Sequence, residues 1–127
     1  MPTPTIDQLG AERYVSLVTF RRNGAGVPTP VWIARIDDKL YAFTDGTSPK
    51  IKRLKANDRI RIAACDARGK VRGEFAEGHA RKLDDPAIID RALAALTQKY
   101  GWQMSVLSLF SRLAGRIERR AYLEISL

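Results

Sequence analysis

Tyr14-Val15-Ser16-Leu17-Val18-Thr19-Phe20 runs into Arg21-Arg22-Asn23-Gly24-Ala25-Gly26 and returns through Val27-Pro28-Thr29-Pro30-Val31-Trp32-Ile33-Ala34-Arg35-Ile36. The first seven residues are rich in β-branched and aromatic side chains, which suit a pleated, half-buried surface, and they read as a strand. Asn23-Gly24 readily supplies the positive φ angles of a tight turn, so the chain reverses there. Val27 to Ile36 is then predicted as a second, antiparallel strand. Pro28 and Pro30 have no N–H for a ladder, which puts the first half of that strand at a sheet edge or a bulge.

Working outward, Ile6 to Arg13 reads as a short helix capped by Thr5 or Asp7, behind a flexible Pro/Thr arm at 1–5. Downstream, Asp37-Asp38-Lys39 is a turn and Leu40 to Thr44 a third strand. Pro49 to Ala56 is a helix, with Thr47 or Ser48 as N-cap and Pro49 at the first helical position. Arg59 to Cys65 and Val71 to Leu83 read as two more strands. Asp84-Asp85-Pro86 opens a second long helix whose Ile89, Leu93, Leu96 and Tyr100 recur at spacings of three and four. Gly101 closes it, Trp102 to Leu113 reads as an apolar packing helix, and Glu118 to Leu127 as the last strand. Hairpin-linked strands that begin and end the series favour a closed or split antiparallel barrel over a parallel sheet. The expectation is a mainly β, α+β chain folded as one split β-barrel domain over 1–127.

The totals agree with such a domain. The chain has 127 residues, 45% of them apolar, which is enough for a core. A chain this short leaves much apolar surface exposed when alone, so a homodimer is expected. Lys and Arg number 22 against 14 acidic residues, a net charge of +8 that attracts anionic ligands. Cys65 is the sole cysteine and His79 the sole histidine, so neither an internal disulfide nor a Cys/His metal site can be built. No stretch reads as a secretory signal or a membrane span, and a cytoplasmic location is expected.

The chemistry concentrates at Phe43-Thr44-Asp45-Gly46-Thr47-Ser48-Pro49-Lys50-Ile51-Lys52. A strand ends in a hydroxyl residue, crosses a small loop and enters a helix whose first turn carries lysines. Free N–H groups at a helix N-terminus attract anions. The hydroxyls of Thr44, Thr47 and Ser48 can add hydrogen bonds, and Lys50 a charge, as a phosphate requires. An ordinary capped helix with a solvated basic face accounts for the same residues equally well.

Four segments in order, Tyr14–Phe20, Pro28-Thr29-Pro30-Val31-Trp32, Ser48-Pro49-Lys50-Ile51-Lys52-Arg53-Leu54 and Cys65-Asp66-Ala67-Arg68-Gly69, resemble the F420-dependent oxidoreductases of actinobacteria related to pyridoxamine-phosphate oxidase. The likeness is fullest over residues 10 to 83. It implies a split-barrel homodimer with a cofactor in each groove between subunits, Val31-Trp32-Ile33 along its ring system, and Thr44, Ser48 and Lys50 around its phosphate. Flavin-binding relatives often carry Arg before that lysine; here Pro49 stands there, and Lys52 is the candidate for the missing charge. Coenzyme F420, a deazaflavin with a phosphate and an oligoglutamate tail, suits a +8 chain better than FMN. Hydride transfer to a small organic substrate is the implied reaction, with an FMN oxidase or reductase, or a non-catalytic carrier, as the alternatives.

Other residues carry weaker signals. Trp102, Met104, Leu107 and Phe110 suit a packing helix, with a pocket roof or a subunit contact as the alternative. Cys65 reads as a small buried apolar residue and His79 as a surface residue. Arg112, Arg116, Arg119 and Arg120 form a basic cluster that suits a solvated helix end or an acidic cofactor tail. Strand aromatics are too few, and the basic residues too concentrated on a helix and turns, for a nucleic-acid barrel.

Overall fold

The structure, a computed structural model, describes residues 3–115 and 120–127. In chain order its elements are α1 (Ile6–Gly10), β1 (Tyr14–Phe20), β2 (Gly26–Val31), β3 (Ile33–Ile36), β4 (Lys39–Asp45), α2 (Pro49–Ala56), β5 (Arg59–Cys65), β6 (Ala76–Lys82), α3 (Pro86–Tyr100), α4 (Trp102–Leu113) and β7 (Arg120–Ser126). The strands form a seven-stranded sheet in the order β2-β1-β5-β6-β7-β4-β3, with every pairing antiparallel.

That order closes the sheet. β2 and β3 lie at its two ends, yet Trp32 alone separates Val31 from Ile33. A single residue spans about 3.5 Å, so the sheet must roll up until its ends meet. The expected single strand Val27–Ile36 is therefore two strands with the barrel seam at Trp32. Val15 pairs with Val31, and Ile33 with Ala42 on the far side of the seam. Pro28 and Pro30 lie on the edge strand β2, where no second neighbour needs their missing N–H.

Period-two alternation then divides the side chains. Ile33, Leu40, Ala42, Leu123 and Ile125 point into the barrel with Val15, Leu17, Ile60 and Ile62. Their neighbours Ala34, Tyr41 and Tyr122 point outward, under Leu83, Ala92, Leu96, Tyr100 and Met104. Helices α3 and α4 thus cover the outer face of β3, β4 and β7. α2 plugs the barrel with Ile51 and Leu54.

Local signals explain most boundaries. Thr5 caps α1 with a reciprocal box to Gln8, and the helix ends at Gly10, short of the expected Arg13. Asp85 caps α3 by accepting from the Ala87 N–H at 3.0 Å. Gly101, at φ 58°, ends α3 and starts α4 without a pause. β6 begins at Ala76, not Val71; before it Val71 makes only an isolated bridge to Cys65. Gly73, Glu74 and Phe75, apolar only at Phe75, lack the alternation a longer strand would need. In β6 the bare Cα of Gly78 lets Ser126 pass: a Cβ there would sit 2.2 Å from the Ser126 carbonyl oxygen. Met1, Pro2, Arg116, Ile117, Glu118 and Arg119 lie outside the described residues, including part of the expected basic cluster and last strand.

Candidate functional site

At the seam the rolled sheet leaves a groove of about 370 Å³. Val31 and Trp32 come to it from the end of β2, Phe43 and Thr44 from β4, Lys50 from the first turn of α2, and Leu107 from α4. Tyr14, Pro30 and Ala67 complete its wall. Of the residues singled out in the sequence, Val31, Trp32, Thr44 and Lys50 meet here. Ile33 does not; its side chain is buried in the barrel core. Lys52 is exposed on another side of α2, beside a second groove with Phe20, Arg21, Arg22 and Arg53.

Lys50 is the unusual member. It is 9% exposed, and among the described residues no carboxylate lies within ion-pair distance. Burial, and then the positive charge of Arg53, hold its ammonium below the ordinary lysine value. The Lys50 side chain is buried while its ammonium reaches the groove, partly stripped of water, where a bound anion would give it a partner. Ser48 carries the same implication. It is the N-cap of α2, but its side chain makes no cap bond, and its Oγ is buried without a hydrogen-bond partner. Orphaned buried hydroxyls are rare in folded proteins. At the start of α2 Pro49 has no N–H and the Ile51 N–H donates to the Ser48 carbonyl at 3.2 Å, which leaves the Lys50 N–H, with no acidic side chain in the first turn to offset the dipole.

Thr47 takes no part in this. Its N–H and hydroxyl both donate to the Asp45 carboxylate, at 2.8 and 2.7 Å, which folds the loop before α2. Of the three hydroxyls considered for an anion, Thr44 lines the groove, Ser48 has a buried Oγ without a partner but is not among the residues lining the groove, and the Thr47 proton is committed.

The apolar side of the groove is held by rings. Trp32 stacks on Tyr100, centroids 4.4 Å apart, and meets Phe43 edge-on at 6.2 Å. Tyr100 is fixed in turn: its hydroxyl accepts from the Ile33 N–H at 2.9 Å and donates to the Arg13 carbonyl at 2.8 Å. Burial pushes its pKa up to about 12. Lys99, the preceding residue, donates to the carbonyls of Gly10, Glu12 and Ile33. Burial, reinforced by Arg13, lowers its pKa to about 8. Tyr100 was legible in sequence only as part of a core stripe; the need of a buried phenol for a polar partner was the unused signal.

Beside the main groove, sharing Phe43, Thr44 and Leu107 with it, lies a smaller recess of about 210 Å³. Arg120 lies over the Phe43 ring at 4.7 Å and donates to the hydroxyls of Ser108 and Ser111. Cys65 is buried, and its thiol is raised by burial and by Asp66, so it is no nucleophile at neutral pH. His79 is exposed, with Nδ1 3.1 Å from Asp58. Among the described residues no cluster of His, Cys, Asp or Glu could hold a metal ion, and no helix is long and apolar enough to cross a membrane.

A family model described as pyridoxamine 5′-phosphate oxidase matches residues 3–126. Among solved structures, a conserved hypothetical protein of Mycobacterium tuberculosis superposes with a TM-score of 0.69 at 20% identity, over 94% of this chain and 75% of that one. HutZ, a haem-storage protein of Vibrio cholerae, gives 0.69 at 9% identity, over 91% and 82%. An FAD-binding protein of Mesorhizobium loti gives 0.59 at 22% identity, over 94% and 83%. At these identities the likeness to solved structures is one of fold. No curated protein matches. With a seven-stranded barrel, a seam groove and a family match along almost the whole sequence, the chain belongs to the pyridoxamine 5′-phosphate oxidase family.

Proposed function

We propose that this protein is an F420-dependent oxidoreductase that holds the deazaflavin in the seam groove, as a cytoplasmic homodimer, and passes hydride to a small organic substrate. One observation carries the reading: Lys50, 9% exposed and without a carboxylate partner among the described residues, lines the groove from the first turn of α2, whose N-cap Ser48 has an orphaned hydroxyl. Those groups suit a phosphate, which a flavin or deazaflavin nucleotide tail supplies. Val31, Trp32 and Phe43 offer an apolar wall for the ring system, while Thr44 offers a hydroxyl. The bound cofactor would supply the hydride chemistry. The chain's own part is to neutralise the phosphate, exclude water and orient the ring against Trp32.

The preference for F420 over FMN rests on charge. Around α2 from Lys50 lies a groove of about 440 Å³ lined by Arg21, Arg22, Lys52 and Arg53. Arg53 is close enough to Lys50 to lower its pKa. An anionic tail leaving the phosphate cradle would meet these cations, whereas FMN has no such tail. A fluorescence titration with F420, and separately with FMN, at low and high salt tests the assignment. Tight, salt-sensitive F420 binding with weak FMN binding is expected. Preference for FMN would move the protein to the flavin branch, and binding of neither would refute the cofactor site.

A further inference from the structure

Arg120 is the first residue of β7, and its guanidinium is held from two directions. It lies 4.7 Å over the Phe43 ring of β4, and its terminal nitrogens donate to Ser108 Oγ at 3.4 Å and Ser111 Oγ at 3.1 Å on α4. A ring on one side and two hydroxyls on the other set the plane of a fork that is otherwise mobile. A guanidinium carries five N–H donors; the serines take two, and the rest are left for a ligand. Among the described residues no carboxylate lies within ion-pair distance of Arg120. Asp45, opposite it in the β4–β7 ladder, accepts from the Thr47 N–H and hydroxyl.

Arg120 borders the side recess of about 210 Å³, to which Phe43, Leu107 and Phe110 give apolar walls. Sites for whole small molecules start at about 300 Å³, so this recess suits one end of a molecule and is too small for a cofactor. Phe43, Thr44 and Leu107 belong to the seam groove as well. A molecule anchored at Arg120 therefore continues across Phe43 into the groove. Its anchor is best a carboxylate, whose two oxygens match a planar guanidinium fork. A phosphate would bring more charge beside the Asp45 carboxylate, which also lines the recess, with Arg120 as the one cation among the lining residues to offset it.

We infer that Arg120 takes the carboxylate of the organic substrate, which makes that substrate a small organic acid whose apolar part lies across Phe43 into the seam groove. The inference rests on the reading of that groove as the cofactor site, since the recess then opens beside the ring system. The acidic tail of the cofactor has other cations to meet, at Arg21, Arg22, Lys52 and Arg53. Arg120 thus separates acids from their neutral analogues and leaves cofactor affinity to the residues around α2.

The test compares two flat probes of nearly equal shape, trans-cinnamate and trans-cinnamamide, by ligand-observed NMR titration of the full chain. The acid should bind roughly tenfold more tightly than the amide, the size of one charge-assisted contact. Arg120→Gln keeps a donor for the serines but loses the charge, and should bring the two affinities within about twofold of each other. Arg120→Lys keeps the charge without the fork and should retain only part of the preference. Equal affinities of the parent for acid and amide would overturn the inference. A preference that survives Arg120→Gln would trace it to the general positive charge and overturn it too. F420 is titrated into the same variants: an affinity unchanged by Arg120→Gln shows an intact fold and supports the assignment, while a matching loss of F420 would give Arg120 to the cofactor and overturn it. An Arg120-dependent preference in a chain that binds neither F420 nor FMN would keep the carboxylate site and sink the cofactor reading alone.

Discussion

The indole of Trp32 lies flat on the phenol of Tyr100, with planes 8° from parallel, and the same phenol hydroxyl closes the backbone at Ile33. One side chain from the end of α3 thereby fixes both the ring that walls the groove and the residue where β2 becomes β3. Tyr100→Phe keeps the stack and removes the hydroxyl, leaving the buried Ile33 N–H without its acceptor. The expected cost is about 1–3 kcal/mol in denaturant midpoint analysis. Tyr100→Ala should cost more and shift Trp32 emission, because the stack goes too. An unchanged stability in Tyr100→Phe would show that Ile33 finds another acceptor.

The neighbouring Lys99 makes a pH prediction. Its three carbonyl partners favour the ammonium, but burial and Arg13 outweigh them and bring the folded pKa from 10.5 to about 8. Below about 8 the amine is protonated in both states. As pH rises from there towards 10.5 the native state has already released a proton that the unfolded chain retains, so stability increases. Tyr100 has the opposite sign: raised from 10.0 to about 12, it keeps its proton while the unfolded phenol ionises, so stability falls above 10. Thermal midpoints should therefore climb between pH 8 and about 10 and then drop. Lys99→Met should flatten the climb whatever it does to the absolute midpoint; an unaltered slope would assign the rise to other groups.

Lys50 looks, in sequence, like a helix lysine of little consequence to stability. Its side chain is 9% exposed and no carboxylate among the described residues pairs with it, which changes the expectation. Lys50→Met replaces an uncompensated cation by an apolar chain of similar length, so the ligand-free protein should melt at an equal or higher temperature. The same substitution removes a charge-assisted phosphate contact, worth about 1.5–3 kcal/mol of cofactor affinity. Calorimetry with and without F420 separates the two effects. A lower midpoint without ligand would mean that Lys50 is paired in solution.

What the sequence shows and what it hides divide along a physical line. β1, α2, β5 and α4 are legible to the residue because each is bounded by local chemistry, such as Ser48-Pro49 before α2 and Asp66 to Gly69 after β5. The break at Trp32 is hidden because Val27 to Ile36 keeps strand composition on both sides of it. Only the sheet order, a matter of long-range pairing, requires the break. At the site, Val31, Trp32, Thr44 and Lys50 are legible, Phe43 only as the neighbour of Thr44 and Leu107 only as an alternative pocket roof. Tyr100, by contrast, comes to Trp32 from an element distant in the chain. Periodicity alone places α4 against the core through Met104, but it cannot say that Trp102 and Leu113 face outward.

Two serines offer a final discrimination. The hydroxyls of Ser16 and Ser48 are both buried with no partner, but they occupy different surroundings. Ser16 is 1% exposed in the middle of β1, opposite Pro30 and Ala63. Ser48 caps α2, two residues before Lys50, which lines the groove. Removing an unsatisfied hydroxyl relieves its desolvation cost, so Ser16→Ala and Ser48→Ala should each leave the ligand-free protein as stable as before or stabilise it by about 1 kcal/mol. Cofactor titration should then part them: Ser16→Ala binds as the parent does, while Ser48→Ala loses about 1 kcal/mol or more for the missing donor. Equal affinities in the two variants would place the phosphate away from the start of α2 and leave Ser48 as unexplained as Ser16.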